Sequence, residues 1–460
     1  MATPLNLDNV IKAYDIRGLV DKEITADFTF SVGVAFAAFL EMERESATVV
    51  IGQDMRPSSE ELATAFADGV TSRGFDVIRI GLSSTDMLYF ASGKLNLPGV
   101  MFTASHNPAE YNGMKFCKSG AKPIGKESGL TLIRKLIEDG APMVMRPAGV
   151  IKQRDMLQEY ADYLVSLFPE KTFEKRKLKV VVDAGNGMAG FTAGAVMEKL
   201  SVELIPMYFE LDGTFPNHEA NPIDPKNLKD LQKRVKKEKA DLGLAFDGDA
   251  DRCFLIDENG DLVNPSALTA LIAVAELNRV PNAKIIYNLI SSKAVPEVIA
   301  ENGGSAIRSR VGHSYIKQMM AQTGAVFGGE HSGHFYFERF WRADSGMLAA
   351  LFAIAQLMQS KLSISKLLQP YNRYFSSGEI NSKMKNADAA KVAIEKVKDK
   401  YGSGNEIDDL DGLTITSEKW WLNLRPSNTE PLLRLNVEAD STAKMAKIRD
   451  EVLELIASIR

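Results

Sequence analysis

A strand–helix–strand pattern recurs three times along this chain and limits what it can become. The first copy is a β-like run at residues 47–52, a helix-like run at 58–73 and a β-like run at 76–80. The second is 178–183, a glycine turn at Gly185-Asn186-Gly187, a helix to about Lys199, then 202–206. The third is 284–289, a helix through Ala300, then 305–310. At this length the pattern reads as a βαβ crossover, and repeated crossovers imply α/β domains. The last stretch departs from it. Asp411-Gly412 reads as a hairpin turn, β-like runs follow at 413–416, 420–424 and 432–437, and an amphipathic helix at 443–459 closes a small α+β domain.

A chain of 460 residues is too long for one core. Proline-bearing, charged or polar stretches near 142–154, 258–265 and 369–377 are the joints. The expected domains are 1–150, 151–257, 258–370 and 371–460. A net charge of −5 argues against a general nucleic-acid binder. The two cysteines, Cys117 and Cys253, cannot build a disulfide framework and form no metal-type pair. The N-terminal segment has no basic start followed by an apolar core, and the longest apolar stretch, 347–358, is too short to span a bilayer and reads as a buried helix. A cytoplasmic protein without a membrane or nucleic-acid partner is expected.

Four polar motifs carry the chemistry. The run Thr103-Ala104-Ser105-His106-Asn107-Pro108 follows an apolar stretch, and Pro108 stops the strand from continuing. It presents Ser105 beside His106 and near Lys115, where a hydroxyl with a neighbouring base or electrophile can act as a nucleophile. A surface turn with a helix cap uses the same residue types. Asp247, Asp249 and Asp251 alternate after a strand-like run, and three carboxylates this close repel one another unless a cation lies between them. Aspartate oxygens suit a hard ion such as Mg²⁺, and Arg252 adds a fork for a phosphate. The spacing also imitates an EF-hand loop with Glu258 at its twelfth position, but Arg252 stands where that loop needs glycine and the flanks look like strands.

The third motif, Gly329-Glu330-His331-Ser332-Gly333-His334, offers donors and acceptors suited to vicinal sugar hydroxyls, or alternatively a polar hairpin. His313 opens a helix and suits either proton transfer and anion binding or a cap. The fourth motif sets Arg425, Ser427, Asn428 and Thr429 between two strands as a phosphate cradle or an unliganded loop. Near the start, Tyr14-Asp15-Ile16-Arg17-Gly18 is compact and polar-aromatic, and by itself Arg17 reads as a salt-bridge residue.

In their order and approximate spacing these motifs resemble those of the α-D-phosphohexomutase superfamily, and most closely its phosphomannomutase/phosphoglucomutase group, along essentially the whole chain. The resemblance implies three similar α/β domains with βαβ-containing mixed sheets and a C-terminal α+β domain of the TATA-box-binding-protein-like type, around a central cleft. It implies that Ser105 is the phosphoserine and, with Asp247, Asp249 and Asp251, a ligand of one Mg²⁺. Lys115, Arg17, His106, Arg252 and His313 would be catalytic groups, and Tyr14, Glu330, Ser332 and His334 would contact the sugar. Arg425, Ser427, Asn428 and Thr429 would clamp the non-reacting phosphate.

The implied reaction moves phosphate between C1 and C6 of mannose or glucose phosphates, with a hexose 1,6-bisphosphate as intermediate and activator, in a monomer or homodimer. Phosphoglucosamine mutases usually carry glycine where Asn428 stands; such a mutase, or a catalytically silent sugar-phosphate-binding protein, is the alternative. Ala250 replaces a common glycine in the metal loop, and its small side chain is expected to be tolerated.

Overall fold

A computed structural model of the protein describes residues 6–426 and 432–459; the side chains of His313 and Ser314 lie outside the described residues. Two compact units are present. The first comprises Met1–Pro265, Lys317–Gly328 and Ser332–Leu367, and the second comprises Ser266–Ile316, Gly329–His331 and Leu368–Arg460.

The first unit holds two mixed sheets. In the larger, the strand order is Ile16–Leu19, Tyr111–Lys118, Gly99–Phe102, Thr48–Gln53, Asp76–Leu82, Ile151–Gln153. Thr48–Gln53 and Asp76–Leu82 pair in parallel and flank the helix Ser59–Thr71, which is the first βαβ copy. Ile151–Gln153 pairs in parallel with Asp76–Leu82, so this sheet draws on the chain as far as Gln153. The strand Thr48–Gln53 is rich in β-branched residues and almost wholly buried, as expected of a central strand with covered faces.

Its covering helices, Ala26–Met42 and Ser59–Thr71, cross closely because glycines face each other's backbone. A Cβ on Gly33 would lie 2.3 Å from the Phe66 carbonyl oxygen, and one on Gly69 would lie 2.2 Å from that of Phe30. Beneath them Phe36, Phe66, Phe102 and Phe116 form one aromatic core with ring centroids 5.1–6.2 Å apart.

The smaller sheet runs Cys253–Ile256, Leu242–Phe246, Leu178–Asp183, Val202–Met207. Leu178–Asp183 and Val202–Met207 pair in parallel around the helix Ala189–Met197, the second copy. Gly185 and Asn186 take left-handed conformations in the turn between strand and helix, where glycine and asparagine are favoured. The apolar run 347–358 lies in the helix Gly346–Gln359, nearly all of it buried, with Ser345 capping its start through Leu348 N. A helix apolar all round belongs in an interior. No single helix among the described residues is long and apolar enough to cross a membrane.

In the second unit, Lys284–Asn288 and Ser305–Ser309 pair in parallel and flank the helix Ala294–Glu301, which is the third copy. A six-stranded antiparallel sheet follows, with Phe375–Ser376, Leu432–Ala439, Trp420–Pro426, Leu413–Thr416 and Glu406–Asp408 in order and Ile380–Lys383 also on Leu432–Ala439. The helices Ala387–Tyr401 and Thr442–Ala457 bury Ala393, Val397, Val452 and Ile456 in the core of this sheet. The tail is the α+β domain read from the sequence.

One buried acid ties the first unit together. Asp86, at the start of the helix Thr85–Leu95, accepts from Tyr160 Oη at 2.7 Å, Ser345 Oγ at 2.6 Å and Ser84 Oγ. Burial pushes its carboxyl up to about 6, with the three hydroxyls pulling the other way. Between the usual 3.8 and about 6 the folded protein therefore binds more protons at this group than the unfolded chain. Stability falls as pH rises through that window, by about 3 kcal/mol once both forms are ionised. Asp86→Asn removes this dependence. Comparing its thermal unfolding with that of the parent at pH 4 and pH 7 should show the balance move in the variant's favour by about 2–3 kcal/mol; a difference independent of pH would contradict the assignment.

Candidate active site

The strand Gly99–Phe102 ends at the serine loop, and its antiparallel partner Tyr111–Lys118 places Lys115 opposite Met101. Ser105 is buried and takes a left-handed conformation, with φ at 51°. That conformation costs an L-residue about 1–2 kcal/mol, so the surroundings must hold it there. Its N–H donates to Thr103 Oγ1 at 2.8 Å. Its hydroxyl donates to Asp247 Oδ2 at 2.9 Å and lies 3.3 Å from His106 Nδ1. Arg17 reaches the same loop, donating from Nη1 to Asn107 Oδ1 at 2.6 Å while Asp15 accepts from Nη2 at 2.5 Å. Tyr14 is half-buried in the bend before the strand Ile16–Leu19.

The metal loop leaves the strand Leu242–Phe246 and returns as Cys253–Ile256. It meets the serine loop without a gap: a Cβ on Gly248 would lie 2.4 Å from the Ser105 carbonyl oxygen, which restricts that position to glycine. Ala250 is left-handed, with φ at 60°, so alanine carries a backbone cost there that glycine would not. Asp247, Asp249 and Asp251 are buried, and each offers an oxygen within 4.8 Å of the others. Lys115 Nζ donates to Asp249 Oδ2 at 2.7 Å and Asp251 Oδ2 at 2.6 Å. Arg252 Nε is 3.6 Å from Asp247 Oδ2 and 3.3 Å from His334 Nε2. His334 Nε2 also lies 3.3 Å from Asp251 Oδ1, and Ser332 Oγ lies 3.0 Å from His334 Nδ1. His334, expected to read sugar, is thus brought beside the metal loop by its bridge to Arg252.

These charges divide the acids. Burial, then the neighbouring Asp251 and Asp249, pushes the Asp247 carboxyl well above its usual value. Burial acts on Asp251 in the same sense, but Lys115 and His334 outweigh it and hold Asp251 well below. Burial opposes the Lys115 cation, yet Asp249 and Asp251 raise it beyond the ordinary lysine range. The Arg252 guanidinium, then burial, holds His106 well below the usual imidazole value, so it is neutral at pH 7.

The triad fits a hard divalent cation. All its donors are oxygens, and three carboxylates exceed the two cations facing them, Lys115 and Arg252. Buried Asp249 Oδ1 has no hydrogen-bond partner among the described residues, whereas Oδ2 is held from two sides. An oriented carboxylate with one idle oxygen is what a metal ligand requires.

In the second unit, Glu330 is buried and accepts from Gly312 N at 3.1 Å. His331 keeps Nδ1 without a hydrogen-bond partner, and burial lowers its imidazole below the usual value. Arg425 lies on the strand Trp420–Pro426 with its side chain 7% exposed, and its Nη2 is 2.6 Å from Glu379 Oε2. Ser427, Asn428 and Thr429 lie outside the described residues, as does the side chain of His313, which begins the helix His313–Thr323.

Thr85 and Glu379 belong to none of the sequence motifs. Thr85 donates from Oγ1 to Asp249 Oδ2 at 2.5 Å and from its N–H to the Asp249 carbonyl at 3.0 Å. It is the first residue of a helix that Ser84 caps, and nothing local points to a partner 164 residues away. Glu379 gave no signal either: it lies just before the strand Ile380–Lys383 and belongs to no motif.

A hydroxyl beside a base, an acidic cluster fit for a metal and a lysine bridging two of its carboxylates are the equipment of phosphoryl transfer. The chain matches all four domains described as phosphoglucomutase/phosphomannomutase: α/β/α domain I over residues 8–142, domain II over 158–260, domain III over 264–374 and the C-terminal domain over 379–455. It is 40% identical to a phosphomannomutase of Vibrio cholerae over 98% of each chain. Identity to a Xanthomonas campestris protein named phosphohexose mutases is 39%, over 96% of this chain and 97% of the other. A solved structure of a phosphoglucomutase/phosphomannomutase family protein from Burkholderia thailandensis superposes with a TM-score of 0.89 at 31% identity, covering 99% and 98% of the two chains. The chain belongs to the phosphoglucomutase/phosphomannomutase family.

Thr85→Val keeps the shape of the side chain but removes the donor that orients Asp249. The affinity of the protein for Mn²⁺, read by electron paramagnetic resonance, should fall about 10-fold or more. An unchanged affinity would separate the Thr85 hydroxyl from the metal site.

Proposed function

We propose that this protein interconverts hexose 1-phosphates and hexose 6-phosphates, as a phosphomannomutase/phosphoglucomutase, with Ser105 as the phosphate carrier. The observation that supports this best is the Ser105 hydroxyl 2.9 Å from Asp247 Oδ2, at the edge of a buried carboxylate triad with metal-type donors.

Phospho-Ser105 gives its phosphoryl group to the free hydroxyl of a hexose monophosphate. The Oγ–P bond breaks, a sugar O–P bond forms, and the hydroxyl proton passes to a neighbouring base. His106, held neutral, can accept a proton, and His313 is a second candidate. Lys115, Arg17 and Arg252 hold positive charge around the loop as the transferred oxygens gain negative charge. Asp247, Asp249 and Asp251, with the phosphate on Ser105, would hold one Mg²⁺, which would supply further neutralisation. The resulting hexose 1,6-bisphosphate turns end for end and returns its other phosphate to Ser105; supplied from outside, the same bisphosphate activates the enzyme. Tyr14, Glu330, Ser332 and His334 orient the sugar, with His334 also placed against Asp251. Arg425, with Ser427, Asn428 and Thr429, holds the non-reacting phosphate at either carbon. The division into domains at 1–150, 151–257, 258–370 and 371–460 assigns one motif to each.

Ser105→Ala should lower turnover of glucose 1-phosphate and mannose 1-phosphate by about 10³-fold or more, measured in a coupled assay with glucose 1,6-bisphosphate present. Retained full turnover would refute the carrier role. Glu330 and Ser332 read the 3- and 4-hydroxyls, and mannose and glucose differ only at C2, so both should be substrates; Asn428, standing where phosphoglucosamine mutases usually carry glycine, should make glucosamine 1-phosphate a poorer one. Arg425→Ala should raise the KM for either sugar phosphate about 10- to 100-fold, the loss of a charge-assisted pair, with a smaller change in kcat. An unchanged KM would remove Arg425 from the clamp.

A further inference from the structure

Arg56 belongs to none of the four motifs, yet its guanidinium is spent on the serine loop. It follows the strand Thr48–Gln53 and precedes the helix Ser59–Thr71. Its side chain is fully buried, and every donor it has is used. Nε donates to Asp54 Oδ2 at 3.2 Å. Nη1 donates to the carbonyls of Pro108 at 2.7 Å and Tyr111 at 2.9 Å. Nη2 donates to the carbonyls of Ser105 at 3.0 Å and Asn107 at 2.7 Å. Asp54 is fixed in turn, its Oδ1 accepting from Arg56 N at 3.0 Å and Ser59 Oγ at 2.6 Å, and the Phe215 ring covers the guanidinium with its centroid 5.2 Å from Cζ.

A buried guanidinium that needed only a counter-ion would be satisfied by Asp54. This one instead gathers three carbonyls of the serine loop and that of Tyr111, where the next strand begins, including that of Ser105, whose left-handed backbone does not hold itself. Drawing the Ser105 carbonyl inward leaves Oγ directed at Asp247. The same carbonyl is the atom against which Gly248 of the metal loop packs. One guanidinium therefore sets the conformation of Ser105 and its seating against the metal loop. Lysine cannot replace it, because a three-donor ammonium on a flexible stem lacks the planar five-donor fork.

We propose that Arg56 is a positioning residue for phosphoryl transfer: it holds the serine loop in the one conformation that aims Ser105 Oγ at the carboxylate triad. The proposal rests on the carrier role given to Ser105, and its test separates the two. Arg56→Lys keeps the charge and loses the fork. Its kcat should fall about 10²-fold, as a displaced nucleophile does, with KM for glucose 1-phosphate within about threefold of the parent. In hydrogen–deuterium exchange, amides of residues 103–113 should exchange about 10-fold faster than in the parent, while those of the strand Leu178–Asp183 stay unchanged. If Arg56→Lys does not fold, Asp54→Asn combined with Arg56→Gln removes both buried charges together, and the same measurements apply. A folded variant with kcat within threefold of the parent, unchanged exchange over 103–113, or faster exchange spread over the whole larger sheet would each overturn the proposal; the last would mark an ordinary core ion pair. Exchange needs no turnover, so a parent protein without mutase activity would sink the carrier role and leave Arg56 still decided.

Discussion

A single ammonium group, Lys115 Nζ, lies within 2.7 Å of both Asp249 and Asp251, and the rest of the site depends on it. Lys115 comes from the larger sheet of the first unit and the two aspartates from the turn of the smaller one. Three buried carboxylates would otherwise force the loop apart or take up protons. By binding the two Oδ2 atoms, the ammonium fixes the acids in rotamers that keep Asp249 Oδ1 idle and bring Asp251 Oδ1 against His334. It also determines which acid stays charged: Asp251 is held ionised, while Asp247, farther from the lysine and pushed up by its neighbours, sits next to the Ser105 hydroxyl.

Around this centre the backbone does work that side-chain chemistry alone would not reveal. The serine loop and the metal loop touch through main-chain atoms, the Ser105 carbonyl against Gly248, so neither can move without the other. Thr85 pins the Asp249 backbone and side chain together, and Arg56 gathers the serine loop by its carbonyls. Two left-handed residues, Ser105 and Ala250, are held in place by this packing. Such strain is kept where geometry at a reacting group matters more than local stability.

Much of the fold was legible because it rests on residue type and period. The three βαβ copies show as runs of β-branched residues separated by one helix length, and each forms a parallel pair. The strand Ile151–Gln153 was not legible: all three of its residues are exposed and it lies within the stretch 142–154 that reads as a joint, so only its pairing with Asp76–Leu82 makes it a strand. The site shows the same division. Ser105, Lys115 and the three aspartates declare themselves by chemistry at short spacing. Thr85 and Arg56 act on carbonyls, or on a carboxylate far along the chain, and such partners leave no mark in local sequence. His334 belongs to the sugar loop by sequence, and its bridge to Arg252, 82 residues away, is a further contact that local sequence does not show.

The central claim is that Ser105 carries a phosphate that it can give to a sugar. The most direct measurement is peptide mapping by mass spectrometry after the protein has been incubated with glucose 1,6-bisphosphate and Mg²⁺, followed by a chase with glucose 6-phosphate or mannose 6-phosphate. The account predicts one phosphate, on the peptide containing Ser105, discharged by the chase as the corresponding hexose 1,6-bisphosphate. A phosphate on another residue, or a phosphate on Ser105 that the sugar phosphate fails to remove, would contradict it.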